Sequence, residues 1–294
     1  FMPGTNTFSF GTAGCNLHCK HCQNADISQN PIEVTGYIDL PPKKAVDGAI
    51  SQDCPSISYT YNDPIVFIEY AMDTAKLARK KGLKNIFVTN GYINQKPLKD
   101  LCKRIDAAHV DLKCFDDKFY REISAARLEP VLETMKTMRK EGVWFEVINL
   151  IIPTLNDDFK KIEEMCIWIS ENLGRYTPLH FSRFFPCYKL ANLHPTPVET
   201  LKKAKEIADK YLDYVYIGNI ETENGENTYC PECKTLLIER TPLYGLYNNK
   251  IVKPKSALNP ANEQKKVNGL MKGSKTKVPF GFCPECKHKI HGVF

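Results

Sequence analysis

A chain of 294 residues with 43% hydrophobic and 25% charged residues has the make-up of a globular protein, long enough for one large domain or two ordinary ones. No apolar run approaches the roughly twenty residues of a membrane-spanning helix, and no charged-then-apolar start reads as a secretory signal. The net charge of +6 is uneven: residues 248–277 hold eight lysines against one acid, Glu263, which leaves the rest near neutrality. Seven of the twelve cysteines fall in tight groups, Cys15/Cys19/Cys22, Cys230/Cys233 and Cys283/Cys286. That grouping favours metal ligation in a reducing, cytoplasmic compartment over a disulfide framework.

From residue 7 to about 220, strand-like and helix-like runs alternate. Short apolar or β-branched runs bounded by turn residues predict strands at Thr7–Phe10, Ser56–Tyr61, Asn85–Thr89, Ala108–Lys113, Trp144–Ile152, Leu179–Phe184 and Tyr214–Ile217. Helices are expected between them. Asp63-Pro64 opens one and Gly82 closes it; Pro130 opens another and Gly142 closes it. Asn156-Asp157-Asp158 opens a third. Thr196-Pro197-Val198-Glu199 reads as a capping box before Leu201, Ala204, Ile207, Ala208 and Tyr211 on one helical face. Repeated strand–helix units predict a parallel sheet. Periodicity alone does not separate an open doubly wound sheet from a barrel.

The chemistry concentrates in Gly11–Asn24, where Cys15, Cys19 and Cys22 stand in a C-x3-C-x2-C pattern. Thiolates are soft ligands that select iron–sulfur clusters, zinc or copper(I). Three thiolates leave one iron of a cubane cluster open to a further ligand, whereas electron-carrying clusters take four. A structural zinc site completed by His18 or His21 is the alternative. Zinc prefers two C-x2-C-like pairs, so one triplet with an x3 gap fits it poorly.

The spacing, with its flanks FSFGTAGCN and HCQNADIS, resembles the signature of radical S-adenosylmethionine (SAM) enzymes. Within them it resembles the AmmeMemoRadiSam branch, related to pyruvate formate-lyase activating enzymes. The resemblance covers residues 1 to about 247 and the last cysteine pair. It implies a partial (β/α)6 TIM-like barrel, residues 1–222, with a [4Fe–4S] cluster on Cys15, Cys19 and Cys22. It further implies reductive cleavage of SAM, hydrogen abstraction from a substrate, and a reductant such as ferredoxin or flavodoxin. AmmeMemoRadiSam system proteins are candidate partners, and glycyl-radical installation is a candidate outcome. Relatives carry an N-terminal lead-in with further cysteines, so the Phe1-Met2 start suggests a shortened form. By the same resemblance Asp63, Asn90 (in Thr89-Asn90-Gly91), Asp111 and Lys113 (in Asp111-Leu112-Lys113) are candidate SAM contacts. Asp63 stands where many relatives have a glutamate and serves equally as a helix cap. Phe185 occupies the place of a SAM-contacting histidine, a role His180 would take over. Cys187 reads as a packing residue or a substrate-facing thiol.

Residues 223–294 form a second module. Cys230-Pro231-Glu232-Cys233 and Cys283-Pro284-Glu285-Cys286 are near copies, and two such knuckles predict a zinc-ribbon-like four-cysteine site for zinc or a single iron. The lysine-rich stretch at about 248–277 reads as an inserted loop. It also supports a rival reading, a zinc-stabilised nucleic-acid-binding protein. That reading leaves the first cysteine loop and the βα units unexplained.

Overall fold

The computed structural model describes residues 1–222, 225–243, 246–251 and 281–293. Most of the lysine-rich stretch lies outside the described residues. The chain divides into two compact units, Thr5–Thr222 and a second made of Phe1–Gly4 with Glu223–Phe294.

The first unit is a seven-stranded parallel sheet: β1 (Thr7–Phe10), β2 (Ser56–Tyr59), β3 (Lys84–Thr89), β4 (Ala107–Asp111), β5 (Trp144–Ile151), β6 (Leu179–Arg183) and β7 (Val215–Gly218). The strands lie in sequence order from β1 to β7. A doubly wound sheet would reverse its order at a switch point. Unreversed order with right-handed crossovers puts the helices on one face and curls the sheet into a partial barrel. The helices are α1 (Ala25–Ser28), α2 (Ile32–Thr35), α3 (Pro42–Ser51), α4 (Ile68–Lys80), α5 (Gln95–Cys102), α6 (Asp117–Phe119), α7 (Leu128–Lys140), α8 (Phe159–Leu173) and α9 (Val198–Ala208).

Period-two alternation sorts the strand side chains. Ala108 and Val110, Phe145 and Val147, Leu179 and Phe181, and Val215 and Ile217 are buried in the main apolar core. The residues between them (His109, Asp111, Glu146, Ile148, His180, Ser182, Tyr216) face the other way, into the barrel. Tyr59, Phe87, Phe145 and Phe181 are fully buried and supply the bulk of that core.

Three helix starts differ from expectation. The 128–140 helix begins two residues before Pro130, so the proline sits in the first turn, where its missing N–H has no intrahelical partner to lose. Before α8 only Asp158 caps, accepting from Lys160 N at 2.8 Å. Asn156 instead accepts from Ile152 N and donates to Lys113 O and Leu150 O. The expected capping box does not form: α9 starts after Pro197 with no side-chain cap. The Thr196 hydroxyl bonds the strand ends, accepting from Phe184 N at 2.9 Å and donating to Ile151 O. A buried carbonyl and a buried N–H at two strand ends outcompete a solvated helix terminus for that hydroxyl.

The second unit holds the antiparallel strands β8 (Thr228–Tyr229), β9 (Leu236–Leu243) and β10 (Leu246–Ile251), in the order β10-β9-β8. Its buried apolar cluster is Cys230, Leu237, Ile238, Cys283 and Ile290.

Phe145→Ala removes a fully buried ring between β5 and its helices. We expect a loss of about 3–5 kcal/mol in urea unfolding followed by circular dichroism.

Candidate active site at the strand ends

Gly11–Asn24 follows β1 at the C-terminal rim of the sheet, where barrels of this kind place their chemistry. The segment contains no strand or helix, so its polar backbone groups are bonded from outside. Asn62, just past β2, holds the segment's first turn: its Oδ1 accepts from Thr12 N at 2.9 Å, and its Nδ2 donates to Gly14 O at 2.6 Å and Thr12 Oγ1 at 3.1 Å. Gly11 packs so closely here that a Cβ would lie 2.5 Å from Thr60 O and 2.8 Å from Asn62 Oδ1. Asn16 donates to Tyr92 O and accepts from Asn90 Nδ2, both at 2.8 Å, which ties the loop to the end of β3. His18 N and Lys20 N donate to Ser124 O and Ile123 O in the π-turn Tyr120–Ser124 that follows β4.

Cys15, Cys19 and Cys22 are all free thiols, and all line one cavity of about 310 Å³. Asp63, Asn90, Asp111 and Lys113 line it too, with His21, Ile148, Leu150 and Ser182. Cys15 and Cys19 are pushed up by burial. The Lys113 ammonium near Cys19 acts in the opposite sense. Leu17 N lies 3.5 Å from Cys15 Sγ, and the Ser28 hydroxyl lies 3.2 Å from Cys22 Sγ, so donors face two of the three sulfurs.

The Asp63 carboxylate is bonded throughout: Oδ1 accepts from Ile65 N at 3.0 Å, Oδ2 from Asn90 N at 2.6 Å, and the Thr89 hydroxyl reaches both oxygens. It caps the 3-10 turn Pro64–Phe67 that leads into α4, where an α-helix start is expected, and it clamps β2 to β3. Burial pushes its pKa up to about 6, against the downward pull of these bonds. Asn90 is likewise engaged at both ends, its Oδ1 accepting from Tyr92 N. Asp111 and Lys113 form an ion pair of 3.0 Å. Burial opposes both charges, yet Lys113 holds the Asp111 carboxyl below its usual range, and Asp111 with Cys19 holds the Lys113 ammonium above its own.

The other expected groups lie elsewhere. His180 is absent from the cavity wall; its Nε2 is 2.8 Å from Glu146 Oε2 and its ring stacks on Tyr216 at 4.8 Å. Phe185 is exposed, under the Arg183 guanidinium. Cys187 packs beside a small apolar cluster and points its thiol at His21 O, 3.4 Å away.

Sequence reading missed Asn16 and Asn62 as clamps, and it had His21 only as a candidate zinc ligand. His21 is buried, held down to about 3 by burial and by Lys113, and its Nδ1 has no hydrogen-bond partner among the described residues. An unpaired buried nitrogen in a cavity wall is a group that a bound ligand would satisfy. Three free thiols on one clamped loop, facing donors and a lysine around a common cavity, fit an iron–sulfur cluster with an open iron.

In the second unit, the sulfur atoms of Cys230, Cys233, Cys283 and Cys286 all lie within 4.8 Å of one another. The Cys230–Cys286 and Cys233–Cys283 pairs are 3.6 Å apart. That is far beyond a disulfide's length of about 2.05 Å. It is close to the ~3.8 Å edge of a tetrahedron of thiolates on zinc. The two knuckles share one geometry, with Lys234 N donating to Cys230 O and Lys287 N to Cys283 O at 3.0 Å each.

A sequentially ordered parallel partial barrel with three thiols on its first loop defines a class of cluster-dependent enzyme. The chain belongs to the Radical SAM superfamily, whose family model matches residues 10–166. It is 47% identical over 253 residues to an uncharacterised protein of Methanocaldococcus jannaschii, covering 86% of this chain and 74% of that one. It is 24% identical over 223 residues to the pyruvate formate-lyase-activating enzyme of Clostridium pasteurianum, covering 72% of this chain and 93% of that enzyme. Among solved structures, SuiB of Streptococcus suis bound to its precursor peptide superposes with a TM-score of 0.58 at 14% identity. The match covers 74% of this chain and 50% of SuiB, a likeness of fold alone. The protein is thus a radical SAM enzyme, and the family implies a [4Fe–4S] cluster and SAM. No described helix is long and apolar enough to cross a membrane.

The pKa of Asp63, raised from 3.8 to about 6, carries a stability consequence. The folded state binds the proton more tightly than the unfolded chain, so the contribution is fully present below about pH 4 and lost as pH rises through 6. Asp63→Asn cannot titrate. The stability of wild type relative to Asp63→Asn should fall by roughly 2–3 kcal/mol between pH 4 and 6.5. Urea unfolding of both proteins across that range checks it; a flat difference would show that Asp63 keeps an ordinary pKa.

Proposed function

We propose that Cys15, Cys19 and Cys22 hold the [4Fe–4S] cluster and that SAM occupies the cavity they line. The observation that carries this reading is the convergence of all three thiols with Asp63, Asn90, Asp111 and Lys113 on one cavity. When reduced, the bound cluster supplies one-electron cleavage of SAM to methionine and a 5′-deoxyadenosyl radical, which takes hydrogen from the substrate. The chain's own residues fix and shield that chemistry. Asn62 and Asn16 hold the thiols still. Asp63 and Asn90 spend their hydrogen bonds on the strand ends, so they shape the cavity and reach a ligand only through their remaining edges. The Asp111–Lys113 pair is suited to SAM's amino and carboxylate groups, since it presents both signs of charge to the cavity. His21 offers an unpaired ring nitrogen.

The flanks of the cysteine loop support membership of the AmmeMemoRadiSam branch. Similarity to activating enzymes supports glycyl-radical installation on a partner protein, with a flavodoxin or ferredoxin as reductant. The sulfur spacing of the four-cysteine site suits a closed tetrahedron of thiolates on one metal, zinc in our reading with a single iron as the alternative. The rival nucleic-acid reading rests on lysines mostly outside the described residues, and no described feature supports it.

The deciding experiment is anaerobic. Protein reconstituted with iron and sulfide, then given SAM and dithionite, should release 5′-deoxyadenosine, while Cys15/Cys19/Cys22→Ala should fall to background. A loop that takes up zinc and no iron would refute the reading. At the second site, as-isolated protein should hold about one zinc per chain. Its removal by a strong chelator should open the second unit to limited proteolysis and leave the helical signal of the barrel intact.

A further inference from the structure

The cluster loop has an outer face as well as a cavity face, and that outer face is built unlike the rest of the rim. Lys20 stands between Cys19 and Cys22 with its side chain exposed. Its carbonyl accepts from Lys189 N at 3.1 Å, and the next carbonyl, of His21, accepts from the Cys187 thiol at 3.4 Å. The segment 187–189 is therefore pressed onto the backbone that joins two of the three thiols. Tyr188, in the middle of it, has a φ of +47°. That left-handed conformation is rare for a bulky residue, and such strain persists where the surroundings enforce it, typically at functional sites. Here it leaves the Tyr188 ring 41% exposed, with the Lys189 ammonium 5.2 Å from the ring centre. Phe185, 43% exposed and 5.0 Å from the Arg183 guanidinium, extends the patch. Exposed aromatics beside cations are the composition of a binding surface. Lys20 and Lys189 are exposed and Arg183 is half-buried, while Arg121 is balanced by Asp117 at 2.6 Å.

We propose that this face, centred on Lys20, Tyr188 and Lys189, docks an acidic one-electron carrier protein. The inference rests on the cluster being held by Cys15, Cys19 and Cys22. The patch covers the Lys20–His21 backbone that joins Cys19 to Cys22, and electron transfer weakens steeply with distance. Its positive charge steers a negatively charged carrier, and its small size suits the weak, transient encounters of redox partners. In the step itself the carrier's reduced centre loses one electron, and the cluster gains it. No bond forms and no proton moves.

The test uses the reconstituted holoenzyme with a reduced, acidic recombinant flavodoxin. Lys20→Glu/Lys189→Glu is compared with Lys80→Glu/Lys140→Glu, an equal charge change on α4 and α7. Binding is read by titration calorimetry and electron transfer by stopped-flow bleaching of the cluster. At low salt we expect the first pair to weaken binding and slow bleaching at least tenfold, the second pair to act less than twofold, and the gap to narrow as salt screens the charges. Bleaching by dithionite should be equal in all three proteins. Equal effects of the two pairs, or none from the first, would overturn the docking proposal. A wild-type protein that dithionite cannot bleach would overturn the cluster assignment beneath it.

Discussion

Gly11–Asn24 has no hydrogen-bond ladder of its own, and the rest of the barrel rim is arranged around that fact. A buried polar group left unbonded costs about 1–3 kcal/mol, so such a loop survives only if its neighbours bond it. They do so from four strand ends. Asn62 after β2, Asn90 and Tyr92 after β3, the 123–124 carbonyls after β4 and Lys189 after β6 each take part. The unreversed strand order makes this geometry available, because it brings successive strand ends side by side around one opening. The thiols are thus placed by amide and carbonyl partners scattered from Asn62 to Lys189, and the partial barrel gathers them.

This explains which features were legible in the sequence. Strand and cysteine patterns are local: β-branched runs mark β2 to β7 to within a residue or two, and C-x3-C-x2-C needs no context. Clamping bonds are not local. Asn62 reads as an ordinary turn residue, and only the fold shows both its amide ends turned back onto the first loop. Thr196 carries a cap signature that a stronger demand overrides, since the carbonyl of Ile151 is buried and the helix end is not. Asp63 was legible as a cap, and its bonds to Thr89 and Asn90 came only with the sheet. His180 stands two positions before Ser182, the β6 residue in the cavity wall, so strand alternation puts it inside the barrel but below the cavity.

Charge placement follows from the same clamp. An ammonium as enclosed as that of Lys113 is costly to bury and needs partners on more than one side. It has Asp111 at 3.0 Å and Cys19 beside it, and each holds its charge in place. The relation is mutual: three converging thiolates would repel one another, and a fixed cation at their edge lowers that cost for Cys19. The unpartnered His21 ring cannot serve this way. Burial and the same lysine keep it neutral, so it contributes a hydrogen-bonding edge with no charge. The cavity wall is therefore polar, with the Asp111 and Lys113 charges paired and the buried Asp63 carboxylate held by hydrogen bonds.

The second unit solves the opposite problem. Among its described residues the buried apolar cluster has five members, two of them cysteines, and so small a cluster offsets little chain entropy. Four sulfurs within 4.8 Å of one another would add to it with a metal bound, since metal binding to such a set is itself folding free energy. The two knuckles need only meet; the chain between them is not otherwise specified by the site. Loop-closure entropy rises with the logarithm of length, about 0.6 kcal/mol per doubling, so extra residues between Cys233 and Cys283 are cheap once the metal joins the ends. A metal-closed ribbon thus tolerates a long intervening segment that an unliganded hairpin of the same size would not.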